Sequence, residues 1–246
     1  IGVYAATSLP SPTTPITIYH PTSIAARVAR GFGRQVEMLT FFESIFGPYP
    51  FATYDAVVTG DELEIPLESQ SLSTFGSNHA TTSWEAQRLI AHELSHQWFG
   101  NCVTVGQWRD IWLHEGFACY AEWLWSEASG GPSADERALE HWERLDRLPQ
   151  DLTLADPGPE LMFDDRIYKR GALTLHALRA QIGDEQFFTL LRTWLERHRF
   201  GTVTTGQFIA LAGELAGRPL DGVFDPWLFT PALPAFPTGS AGSVTG

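Results

Sequence analysis

Two histidines four residues apart, His92 and His96, flank Glu93 in the run RLIAHELSHQWFGN. On a helix that spacing is one turn, so both imidazoles leave the same face. Neutral imidazole suits zinc, and a hydrolytic zinc takes three protein ligands while keeping one position open for water. Glu93, beside the first histidine, stands where it can act on that water as a general base. The competing reading is two histidines that merely share a helix face.

A third ligand separates the two readings. Glu115 lies nineteen residues after His96 in DIWLHEGFACYAE, on the next expected helix after a turn at Val105-Gly106. Flanked by Trp112, Leu113 and Phe117, it reads as buried, and a buried carboxylate needs a partner such as zinc. The plainer alternative is a surface helix carboxylate. Asp110 has two open readings. It either orients a ligand imidazole through the second ring nitrogen or caps the helix that starts at DIWLHEG. His114 points about 100° away from Glu115 on a helix and reads as packing or surface. Cys119, one turn beyond Glu115, is not needed once three ligands are named.

The elements that must hold these residues follow from apolar spacing. Ile24, Val28, Phe32, Val36, Leu39, Phe42 and Ile45 predict one helix, stopped by Gly47-Pro48. TYDAVV and SLSTF predict strands, with the Pro66-containing DELEIPLESQ between them irregular or at a sheet edge. A capping box at Thr82 and Glu85 predicts a helix to about Phe99. Further helices are expected at 109–128, 133–147, 166–182, 184–197 and 204–216. Residues 1–21 are rich in Pro, Ser and Thr and are expected to be a linker or the end of an upstream domain. ITIYH within them is either a strand or the end of that linker. Residues 233–246 are expected to be a C-terminal tail. A catalytic domain is thus expected over 22–232, with a small mixed-sheet lobe at about 22–80 and a helical lobe at 81–232, an α+β arrangement.

Bulk properties exclude several function classes. Sixteen basic residues against 29 acidic give a net charge of -13, and Lys169 is the sole lysine. Such a charge disfavours nucleic acid or an anionic membrane as a partner. No apolar run approaches the roughly 20 residues of a membrane span, so a soluble protein, cytoplasmic or secreted, is expected. The chain opens on Ile1 rather than Met, which leaves room for an upstream segment. Cys102 and Cys119 are too few for a disulfide framework, and two buried thiols are expected rather than one bridge.

HELSHQWFGNCVT and WLHEGFACY resemble the zinc segments of the aminopeptidase N family (the membrane alanyl aminopeptidase and leukotriene hydrolase group). The resemblance continues through FFESIFGPYPF, IYKRGALTLHALR, TVTTGQFIALA and FDPWLFTPALP, so it spans about 20–235. It implies a thermolysin-like catalytic domain that holds one zinc per chain through His92, His96 and Glu115, with Glu93 as the base. IPLES stands at the family's Gly-x-Met-Glu-Asn segment, which implies that Glu68 binds the substrate's free α-amine. Ile65 and Ser69 stand where the family has Gly and Asn. Tyr168 in IYKRG matches the tyrosine that donates to the oxyanion; by itself it reads as an ordinary helix aromatic. The implied activity is removal of N-terminal residues from peptides that carry a free N-terminus. Two alternatives stand beside it: a zinc endopeptidase with an open cleft, and a catalytically inactive binding protein on the same fold.

Overall fold

The computed structural model describes residues 2–237, and the chain divides into two compact units that part between Cys102 and Val103. The first unit holds β1 (Ala5–Leu9), β2 (Ile16–His20), α1 (Ala25–Gly31), α2 (Gln35–Phe46), β3 (Tyr54–Val58), β4 (Leu67–Ser69), β5 (Leu72–Phe75) and α3 (Trp84–Ser95). Its five strands run in the order β1-β2-β3-β5-β4, parallel at β2/β3 and β3/β5 and antiparallel at the two outer pairs. Alternate residues of β3, Tyr54, Ala56 and Val58, are fully buried, the period-2 pattern of a strand packed on one face. The expected linker 1–21 thus supplies two strands, and ITIYH is one of them. The proline-bearing segment does hold an edge strand, β4. With the division after Cys102, α3 belongs to the sheet unit rather than to the helical lobe.

Two of the expected helices differ from the structure. The helix expected from Ile24 through Ile45 breaks between α1 and α2, where a Cβ on Gly33 would stand 2.8 Å from the Ala29 carbonyl oxygen. The N-cap of α3 is Ser83, not Thr82: the Ser83 Oγ accepts from the Ala86 amide at 3.4 Å, and the helix ends at Ser95 rather than Phe99. Beyond that end the chain turns into an aromatic cluster. Trp98 packs edge-on to Phe42, Phe46 and Tyr49, and its Nε1 donates to the Gly47 carbonyl at 3.1 Å.

The second unit holds β6 (Val103–Val105), α4 (Trp112–Ala128), α5 (Ala134–Asp146), α6 (Asp165–Ile182), α7 (Asp184–Arg197), β7 (Gly201–Val203), α8 (Thr205–Ala216) and α9 (Asp221–Phe224), which runs into a π-helical turn. Its helices start where the chain supplies caps. Ser133 with Glu136 and Thr204 with Gln207 form capping boxes, and the Asp164 carboxylate accepts from the Arg166 amide, satisfying amides that a helix start leaves orphaned. Strands β6 and β7 pair in parallel; the turn expected at Val105-Gly106 follows β6. Trp112, Phe117, Trp194 and Phe208 interlock as the aromatic centre of this unit. Cys102 and Cys119 are both buried, and neither is in a disulfide.

Arg170 fastens the end of the described chain. Its guanidinium, on a residue 4% exposed, donates to the carbonyls of Trp227 (2.9 Å), Pro226 (3.0 Å), Pro231 (2.6 Å), Ala232 (3.2 Å) and Thr230. The segment beyond continues across the helices. The Leu233 amide donates to Gln150 at 2.8 Å, Trp142 Nε1 donates to the Pro234 carbonyl at 2.8 Å, and Phe236 packs on Trp142 and His176. Leu233, Pro234 and Phe236 of the expected tail are therefore docked; 238–246 lie outside the described residues. Replacing Arg170 by Met strips these carbonyls of their common donor while keeping most of the side-chain volume. Each buried polar group left unsatisfied costs about 1–3 kcal/mol, so urea unfolding should show a loss of roughly 3 kcal/mol or more. An unchanged midpoint would show that the carbonyl wrap contributes nothing.

Candidate active site

Helix α3 and the turn after it place the paired histidines. His92 and His96 are 7% and 1% exposed, and their rings lie 4.7 Å apart between centroids, inclined at 84°. His96 Nδ1 stands 3.0 Å from the Phe99 carbonyl. A carbonyl oxygen only accepts, so Nδ1 carries the proton and donates, and Nε2 keeps its lone pair for a metal. Phe99 can offer that carbonyl because α3 has stopped and its ring is held edge-on to Phe46, with centroids 5.0 Å apart. Glu93, 4% exposed, lies between the histidines in sequence. Its charge helps raise the pKa of Tyr54, whose hydroxyl is pushed well above its ordinary value chiefly by burial.

Glu68 sits on the edge strand β4, half-buried, and that strand is tied to the histidine helix by a residue the sequence did not single out. Gln97 Nε2 donates to the Ser69 carbonyl at 3.1 Å, and its Oε1 accepts from the Ser71 amide at 2.7 Å. Ser71 holds the hairpin turn with φ of 56°, a left-handed conformation uncommon outside glycine. One amide side chain therefore fixes both ends of a turn next to Glu68. No periodicity marks such a clamp; an Asn or Gln inside an otherwise apolar stretch is the one sign a sequence offers.

In the second unit, Glu115 lies in the first turn of α4 and is 6% exposed. His114, expected to point away, instead brings Nδ1 within 3.2 Å of the Glu115 carboxylate. Tyr168 lies in the first turn of α6, half-buried. Asp110 is 3% exposed, and its Oδ1 accepts from both the amide (3.0 Å) and the hydroxyl (2.6 Å) of Thr205 at the start of α8. Thr205 Oγ1 also accepts from Trp112 Nε1 at 2.8 Å. Asp110 is thus a cap, but of α8 rather than of its own helix. Its Oδ2 is buried with no hydrogen-bond partner among the described residues.

Helices α4 and α6 meet backbone to backbone. A Cβ on Gly116 would stand 2.8 Å from the Gly171 Cα. One turn along, Lys169 Nζ donates to Cys119 Sγ at 3.2 Å. Burial pushes the Cys119 thiol up to about 12, although the adjacent ammonium acts the other way. At that pKa Cys119 stays a thiol at neutral pH, a weak ligand and nucleophile.

The sequence pattern described as the peptidase family M1 domain matches residues 31–227. Aminopeptidase N of Streptomyces lividans is 30% identical over 228 residues, which cover 83% of this chain and 27% of that protein. Glutamyl aminopeptidase of Bos taurus is 28% identical over 266 residues, covering 94% of this chain and 26% of that one. The crystal structure of an M1 zinc metallopeptidase from Deinococcus radiodurans superimposes with a TM-score of 0.86 at 30% identity, covering 97% of this chain and 55% of that one. A mutant of the Deinococcus enzyme bound to a Tyr-Ser-Ala substrate gives the same TM-score and identity, over 96% and 54%. This chain thus spans about a quarter of the two sequence relatives (27% and 26%) and about half of the solved structure (55%).

The Gln97 clamp has a direct readout. Gln97→Leu keeps the bulk but removes both hydrogen bonds to the β4–β5 hairpin. At about 1–2 kcal/mol of lost local stability, amide exchange at Ser71 should quicken roughly 5–30-fold, while amides in the middle of α3 exchange as before. Equal acceleration throughout the unit would mean that Gln97 supports the unit as a whole rather than the hairpin.

Proposed function

We propose, because this chain belongs to peptidase family M1, that it is the catalytic part of a zinc aminopeptidase that removes N-terminal residues from peptides. One observation carries the metal assignment. The buried His92 and His96 rings lie 4.7 Å apart at the C-terminal end of α3, and the His96–Phe99 hydrogen bond leaves Nε2 as the nitrogen able to ligate. Those donors, with the buried carboxylate of Glu115, match the chemistry of a two-histidine, one-glutamate zinc set. His92, His96 and Glu115 would hold the ion. When bound, zinc supplies Lewis-acid polarisation of the scissile carbonyl and lowers the pKa of water.

The remaining steps fall to side chains of this chain. Glu93 takes the proton of the attacking water and passes it to the leaving amine. The Tyr168 hydroxyl donates to the carbonyl oxygen as negative charge develops there. Glu68 pairs with the substrate's α-ammonium and fixes which bond is presented. Asp110 Oδ2, buried and lacking a partner among the described residues, is the acceptor available to orient a ligand imidazole. The neighbouring enzymes support this reading: two are named aminopeptidases, and the Deinococcus enzyme was solved with a tripeptide substrate.

Two sets of variants divide the labour. Glu93→Gln should keep one zinc per chain by elemental analysis and lower kcat by about 10³-fold or more, because an amide cannot take the proton. Tyr168→Phe should lower kcat roughly 10²–10³-fold with little change in KM, as for a group that acts in the transition state. A Phe variant with near-normal kcat would reduce Tyr168 to packing.

The end of the substrate that is read can be tested with one peptide in free and N-acetylated forms, its products identified by mass spectrometry. Cleavage should release N-terminal residues and stop on acetylation. Glu68→Gln should weaken binding of the free peptide by roughly 2–4 kcal/mol if the ion pair is well desolvated. Equal internal cleavage of both peptides would establish an endopeptidase instead.

A further inference from the structure

The interior helical glycines of α4 and α6 face each other. A Cβ on Gly116 would meet Gly171 Cα at 2.8 Å and its carbonyl carbon at 2.9 Å, while one on Gly171 would meet Gly116 Cα at 2.7 Å. Neither side can gain an atom without moving the other backbone. Packed helices ordinarily stand apart by the thickness of interdigitated side chains, and glycine inside a helix is less stable than alanine. By contrast, a Cβ at Gly206 or Gly222 would meet nothing within 4 Å. The paired glycines therefore answer to a requirement that the others do not.

Their position says what the requirement is. Gly116 directly follows Glu115, and Gly171 lies one turn after Tyr168. We infer that the Gly116–Gly171 backbone contact sets the placement of the Tyr168 hydroxyl relative to the Glu115 carboxylate, which makes both glycines positioning residues for peptide hydrolysis. This rests on the reading of Tyr168 as the oxyanion donor. Two further bonds fix the register of α6 at this crossing. Lys169 Nζ reaches Cys119 Sγ on α4 at 3.2 Å, and Arg170 Nε is anchored on the Trp227 carbonyl at 2.9 Å. Glu115, Gly116 and Cys119 thus share one turn of α4, and Tyr168 through Gly171 share one turn of α6. With the backbones in contact, sliding or rotation of either helix meets a hard wall rather than a soft side chain.

The test is a double-mutant cycle in the intact protein. Gly171→Ala and Gly116→Ala are each combined with Tyr168→Phe, with Gly206→Ala as the control for a helical glycine in open space. Misplacing a reacting group by about 1 Å costs on the order of 10²-fold in rate. Each alanine wedge should therefore lower kcat roughly 10–100-fold, leave KM within about twofold and leave one zinc per chain, whereas Gly206→Ala leaves kcat unchanged. Adding Tyr168→Phe to a wedge should then cost roughly 10–100-fold less than it does in the parent, because the hydroxyl has already left its place. A full Tyr168→Phe penalty in both wedged backgrounds would overturn the inference, since the tyrosine would still be in position. A Tyr168→Phe variant with near-normal kcat in the parent would instead show that the oxyanion reading has failed, and the inference falls with it. Should neither alanine variant fold, Cys119→Val places a smaller wedge one turn along the same crossing. It should lower kcat about two- to fivefold at unchanged KM, and an unaltered kcat there counts against the proposal.

Discussion

A buried imidazole has to satisfy one ring nitrogen before it can offer the other, and much of the first unit follows from that constraint. For His96 the satisfying group is a backbone carbonyl three residues on. Such a carbonyl is spare only where the helix has ended, since inside a helix it would accept from an amide four residues later. Helix α3 ends at Ser95, and the chain then turns tightly enough for the Phe99 oxygen to come back to the ring. The rings of Trp98 and Phe99, packed on α2 residues Phe42 and Phe46, hold the turn in place. Helix stop, aromatic anchor and histidine tautomer are one structural statement.

The second unit solves a different problem: it must keep charged and polar groups inside a helical core. Arg170 distributes its donors over backbone carbonyls, a role suited to a planar guanidinium with five N–H groups. Lys169, beside it, uses a flexible stem to reach one thiol. Asp110 is held by Thr205, and Thr205 by Trp112, so the start of α8 and the segment leading into α4 share one hydrogen-bonded chain. These bonds follow no local period. They exist because polar groups left without partners in a core are costly.

This difference explains what the sequence made legible. Helical period put His92 and His96 on one face and Glu115 among apolar neighbours, and the structure has both histidines converging and Glu115 buried. Local caps at Ser133 and Thr204 sit at or next to the expected helix starts. Less legible were features whose cause lies far along the chain. The pairing of β6 with β7 joins segments about a hundred residues apart in sequence, each a three-residue strand with no pattern of its own. Gly33 reads as tolerable in a helix until the space around it is known. Asp110 invited a capping assignment, and capping is what it does, but for a helix 95 residues away. Glu68 and Tyr168 carried no signal of their own, since an edge carboxylate and a helix aromatic are ordinary; a family resemblance singled them out.

If the proposed function holds, the edge strand β4 would separate affinity from selectivity. Among the described residues it is the outer strand of its sheet, paired with β5, the position at which an extended peptide can add to a sheet. Backbone pairing of that kind holds any extended segment, terminal or internal, because all peptide backbones offer the same groups. Ile65 and Leu67, both strongly exposed, add apolar contact that is equally indifferent to chain ends. On the proposed reading, discrimination would rest on Glu68, the charged group of the strand, which an α-ammonium answers and an internal amide does not. An ion pair in open water contributes little, and the same pair shielded from water contributes far more. Whether a strand of this kind serves an aminopeptidase or an endopeptidase therefore turns on how dry its single carboxylate becomes when the substrate binds.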